Sequence, residues 1–246
     1  MAITVALLTS GSSATDDTAY LTDSILPTAN RLIIAAAASR VSTSPPEICT
    51  LSGTGLTWVE AGTVTGTGAS TRRITLFRSM GAAPSSGALT IDFAGNTQIG
   101  CAWSVVEFAG IDTSGTNGSG AVVQTATNNV AAATSLTVTL AAFSSADNAT
   151  YGSFFCGTNE DQTVGTGFSE LHDLGTTAEP LRVFTEWLAG NDTTVDESSA
   201  TSTGRGGVAI EIKAAAAAAV GRAALGAMYP RMQRHSQQSW VVPRFG

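Results

Sequence analysis

Charge is scarce in this chain. Acidic and basic residues make up 13% of the 246 positions and hydrophobic residues 43%, which excludes a solvated, disordered polypeptide and allows a sizeable core. Histidine is scarcer still, limited to His172 and His235, so catalysis by convergent titratable groups has little to draw on. Cysteine is limited to Cys49, Cys101 and Cys156. That set is odd and widely separated and lacks the paired spacing of a zinc site, so the three are expected as buried small hydrophobes, a disulfide between two of them being the alternative. No apolar run reaches bilayer length, so membrane insertion is not expected. The first eight residues, MAITVALL, have neither a basic flank nor an apolar stretch long enough for a signal peptide; they are expected to be retained as a first strand.

Acids are absent beyond Lys213. The segment after it carries Arg222, Arg231, Arg234 and Arg244, a charge of +4, whereas residues 1–213 set eight cations against nineteen acids, a net −11. An acidic body repels nucleic acid and anionic membrane, and a short basic arm suits an acidic protein surface. Nucleic acid is therefore not an expected partner.

What the chain has in quantity is Gly, Thr, Ser and Ala between short apolar runs. Threonine fits a pleated surface and glycine supplies turns, so the pattern predicts an all-β fold of antiparallel strands, a sandwich of jelly-roll type. Strands are predicted over residues 31–37, 56–60, 73–79, 88–93, 101–108, 135–140, 150–156, 181–188 and 207–213. In residues 73–78 and 136–140 apolar and polar side chains alternate, placing one face inward. Polar stretches at 62–69, 110–120 and 190–203 are expected as loops. Residues 1–213 form one body in this reading.

From Ala214 the composition changes to helix formers, which predict a short helix ending before Pro230. Residues 214–246 are thus a basic C-terminal arm, helical or extended. Its Arg222, Tyr229, Arg231, Arg234, Trp240, Arg244 and Phe245 are of the types that anchor interfaces, and they are the expected partner-binding residues.

Motifs of chemistry are missing. There is no nucleophile elbow, zinc-protease helix, phosphate loop or dinucleotide fingerprint in strand-to-helix context, and no cofactor is expected. His172, within Ser169-Glu170-Leu171-His172-Asp173, reads as a surface or satisfied strand histidine. Glu107, Glu160, Asp161, Glu186, Asp196 and Glu197 are the carboxylates available for glycoside hydrolysis. Glu107 and Glu186 interrupt apolar strands and are expected to face solvent. Oxygen ligands at Asn159-Glu160-Asp161, and at Asn191-Asp192 with Asp196, lack the spacing of an EF-hand, so no metal site is expected. Trp58 and Trp103 read as core.

Three segments, residues 101–112 (CAWSVVEFAGID), 151–156 (YGSFFC) and 207–213 (GVAIEIK), resemble runs that occur in the same order in phage-associated jelly-roll or lectin-like β-sandwich proteins. The resemblance covers roughly residues 30–213. It implies a non-enzymatic structural protein of a virion, a capsid decoration or head-spike component held by its C-terminal arm to other virion proteins. It also implies a homo-oligomer, a trimer among its forms. The alternatives are a tail-fibre module that binds a receptor or host-surface glycan through its loops, and a polysaccharide-cleaving enzyme.

Overall fold

The computed structural model describes residues 2–43, 45–67 and 70–216. Among them the chain is built from strands, without helices. The first sheet has the order β1 (Thr4–Ser13), β8 (Gly100–Ala109), β3 (Leu32–Arg40), β6 (Arg72–Ser79) and β5 (Val59–Thr65). Facing it is a second sheet of β14 (Thr194–Ile212), β10 (Ala149–Cys156), β13 (Leu181–Leu188) and β12 (Ser169–Thr176), with β9 (Val122–Thr139) and the short β11 (Thr163–Val164) both paired to β14. A small third sheet, β2 (Ala19–Leu21), β7 (Thr90–Asp92) and β4 (Thr50–Ser52), covers the outer face of the first. All pairings are antiparallel. The antiparallel sandwich expected from the sequence is what these residues form.

The period of two explains how one strand serves two cores. In β3, Leu32, Ile34, Ala36 and Ala38 enter the core between the main sheets, while Ile33, Ala35 and Ala37 enter the core beneath the small sheet. A strand buried on both faces loses its polar alternation and reads as the continuous apolar run LIIAAAA. The main core is crossed by Phe108 and Tyr151 edge to face, with ring centroids 5.9 Å apart. It is also bridged by Ser104 Oγ and Thr185 Oγ1 at 3.3 Å. At one end Arg72 donates to the Pro180 carbonyl at 2.9 and 3.0 Å, and Arg40 pairs with Glu179 at 2.8 Å, so cations of the first sheet hold the turn between β12 and β13. The three cysteines are buried and free. Trp103 is buried in the core beneath the small sheet and Trp58 packs half-buried against it.

Two expected loops are in part strand. β5 runs on to Thr65 through a register shift at Gly62, where a Cβ would lie 2.8 Å from Thr125 Cγ2; the missing side chain lets β9 close against β5. Residues 194–203 begin β14, because their backbone is paired to β9 and β11 despite a composition of Thr, Ser and acids.

The body continues past the expected boundary. Ala214 bridges to Ile111 and Ala215 N donates to Gly110 O at 2.8 Å, so residues 214–215 extend the sheet edge where a helix was expected to begin. The compact unit runs to Ala216. The rest of the expected helix and arm lies outside the described residues.

Candidate functional site

The expected anchoring residues Arg222, Tyr229, Arg231, Arg234, Trp240, Arg244 and Phe245 all lie outside the described residues. The titratable groups of the body, however, can be placed one by one.

The densest group lies under a fold-back. β9 and β14 form one long ribbon whose register breaks between Ser198 and Arg205. Beyond that break the pair 135–139 and 194–198 turns back over the outer face of the second sheet. Asn128 Nδ2, in the sheet half of β9, donates to Thr137 O of its folded half at 2.7 Å, and Gln124 Nε2 donates to Ala141 O at 3.1 Å. The folded half brings Leu136, Val138 and Val195 down onto Phe154, Phe184 and Ala209 as a third core. Close approach depends on glycine below: a Cβ on Gly152 would sit 2.6 Å from Val195 Cγ1, and one on Gly207 would sit 2.4 Å from the Phe154 ring.

Ionisable groups share this layer. Arg205, on the sheet half of β14, is fully buried and pairs with Glu197 on the folded half of the same strand. Its other donors reach Gln162 Oε1 at 2.8 Å, Ala133 O at 2.8 Å and Ser199 Oγ. Burial holds the Glu197 carboxyl above its ordinary range against the pull of Arg205. Glu186 comes up from β13 into the same layer at 0% exposure. Its Oε2 accepts from Gly165 N at 2.9 Å, while its Oε1 is buried without a partner among the described residues. Burial, helped by Asp196, Glu197 and Asp192 and opposed by the Gly165 amide, pushes its pKa up to about 8.

The expectation that Glu186 faces solvent is therefore wrong. The alternation argument located it correctly on the face opposite the main core, but that face is roofed by the ribbon. Glu107 does lie at the surface, where Thr28 clasps it through its amide and hydroxyl at 2.9 Å each. Glu211 on the same outer face as Glu186 shows the effect of donors. Burial alone would raise its pKa, yet Gln124, Asn148 and Ser144 donate to it and hold it below the ordinary value.

The acids of residues 159–161 are engaged as well. Arg182 donates to Asp161 Oδ1 at 2.6 Å and to Asn159 O at 3.0 Å, and its Nε bonds Asp173, whose other oxygen accepts from Gln162 N at 2.8 Å. Glu160 Oε2 accepts from Thr201 N at 2.9 Å. Among the described residues no three His, Cys, Asp or Glu side chains are grouped to hold a metal. His172 is neither a surface nor a satisfied histidine: it is partly buried on β12 beside a register shift, burial lowers its pKa, and its buried Nε2 has no partner among the described residues.

Sequence reasoning missed Arg205 and the burial of Glu197. A signal was present: Val195 and Glu197 are two apart and must share a face in any strand, so a buried Val195 draws Glu197 inward with it. The structure brings Glu186 and Glu197 together under the flap, sets Asp196 half-buried on the flap's other face, and leaves Glu107, Glu160, Asp161 and His172 elsewhere. At 0% and 1% exposure, Glu186 and Glu197 can hold a proton but offer no polymer a path to them.

A polar groove opens at one end of the sandwich, lined among others by Asp16, Ser42, Glu47, Asn96, Thr97 and Gln98. No aromatic side chain is among its described lining residues, so it lacks a surface on which a sugar ring would stack.

Comparison with protein-family models, with curated proteins and with solved structures finds no match to this chain.

Proposed function

We propose that this chain is a non-enzymatic structural protein of a tailed-phage virion, a capsid decoration or head-spike component whose all-β body is displayed and whose C-terminal segment attaches it. The supporting observation is how the body completes itself. Among the described residues its three cores draw on positions from Ile3 to Ala214, and the last described residue, Ala216, is exposed. The remaining 30 residues bring four arginines, Tyr229, Trp240 and Phe245 and no acid. Such a composition suits docking on an acidic, partly apolar protein surface.

Several of the carboxylates that would otherwise argue for hydrolysis are buried or engaged, while Asp161, though paired, keeps its side chain 93% exposed and Asp196 stays half-buried. Glu186 and Glu197 are buried, Glu107 is clasped by Thr28, and Asp161 pairs with Arg182. These contacts support a structural reading over an enzymatic one.

Labelling intact particles with an antibody raised against residues 1–216 tests the reading. Label on the capsid is the expected result. Label confined to the tail tip favours a receptor-binding module, and absence of label from purified particles overturns a virion role.

A further inference from the structure

Three observations meet at the folded half of the β9–β14 ribbon. First, it is a flap: residues 135–139 and 194–198, with β11 paired alongside, cover Phe154, Phe168 and Phe184, and the register breaks on β14 between Ser198 and Arg205 form its hinge. Second, among its polar contacts with the sheet, two latches use buried carboxyls. Gly165, next to β11, donates to Glu186 of β13, and Glu197 of the flap pairs with Arg205 of the sheet. Third, the two latches differ in kind. Glu197 has a cation opposite it, whereas the groups around Glu186 are mostly acids.

We propose that the flap is a pH-sensitive cover, closed while Glu186 is protonated and loosened when it ionises. A neutral Glu186 fills the space beneath the flap and accepts one amide bond at no electrostatic cost. An ionised one places a charge in a layer shared with Phe154, Phe184 and Val195, with a single donor to satisfy it.

The surrounding charges do not relieve it. From β14 it meets Asp196 and Glu197, and from the turn before β14 it meets Asp192. Glu170 stands opposite it in register on β12. Arg205 is committed to Glu197, Gln162 and Ser199, and Arg182 to Asp161 and Asp173. Burial pushes Glu186 up to about 8, which puts the transition just above neutrality. Opening would uncover three phenylalanines and free one edge of the ribbon.

Hydrogen exchange on the full chain tests this, with amides of the flap read against amides of β3 and β8 in the same molecule to cancel the intrinsic pH dependence. Between about pH 6 and about pH 9, flap exchange relative to that reference is expected to rise roughly tenfold or more. Glu186→Gln keeps an acceptor for Gly165 and cannot ionise, so its ratio should show only the smaller rise due to Glu197, whose pKa burial raises to about 7, and should level off above that. A wild-type ratio that does not move, or one that moves equally in Glu186→Gln, overturns the proposal. Carboxyl carbon NMR of wild-type Glu186 gives an independent reading should the variant fail to fold. Coincident midpoints for the carboxyl titration and flap loosening support the cover, and separated midpoints overturn it.

Discussion

Arg205 and Glu197 lie eight positions apart on one strand and face each other across its fold-back, both side chains sealed from solvent. A straight strand of that length would separate them by well over 20 Å. Their pairing is therefore a signature of the bend, and it joins the flap to the sheet.

Removing one partner leaves the other charge buried. Arg205→Ala is expected to cost about 3–5 kcal/mol near pH 8, and less near pH 5, where the orphaned Glu197 takes up a proton. Urea unfolding at the two pH values checks this. A loss independent of pH would mean that the arginine acts through packing alone.

Close approach of flap and sheet rests on Gly152. Gly152→Ala should destabilise by about 1–3 kcal/mol, because the new methyl meets Val195 Cγ1 at 2.6 Å. Val195→Ala in the same chain should recover part of that loss. A double-mutant cycle with no coupling would contradict the contact.

Stability should fall as the solution becomes alkaline. The Glu186 pKa is higher in the folded chain, about 8, than its ordinary 4.5. Below 4.5 both states hold the proton and nothing changes. Between those values only the unfolded chain ionises, so stability declines with rising pH up to about 8. Glu211 has the opposite sign, its pKa being depressed on folding, and it destabilises the fold as pH drops below the ordinary glutamate range. Thermal melts should therefore show greatest stability under mildly acidic conditions, and Glu186→Gln should shrink the decline, leaving the part that Glu197 contributes up to about pH 7.

Much of this architecture was legible in sequence because strands buried on one or both faces carry their burial pattern openly. LIIAAAA in β3 and the alternation of LTVTL at residues 136–140 are examples, whereas RITLFR in β6 alternates without a solvent face, because the small sheet covers Phe77 and Thr75 is buried with it. The first half of β14 was not legible. Thr194-Val195-Asp196-Glu197-Ser198 has the composition of a loop, and it becomes strand only because β9 and β11 pair with its backbone. Glu186 was misread for a related reason: alternation within β13 reports which face a residue takes, not whether a distant segment covers that face. The anchoring residues expected at 222–245 were chosen by composition, and they lie outside the described residues.

The body should stand without its last 30 residues, since its described cores are filled by residues 3–214. A chain ending at Ala216 is expected to match the full chain in melting temperature to within a few degrees and to keep its β-sheet circular dichroism. A large loss of stability would show that the C-terminal segment is part of the fold.

The decisive measurement is co-sedimentation of the full chain and of the chain ending at Ala216 with particles from which the protein has been stripped. The full chain should bind, with affinity falling as salt rises because arginines carry part of the contact. The shortened chain should remain in the supernatant. Equal binding by both would contradict attachment through the C-terminal segment and move the contact to the sandwich.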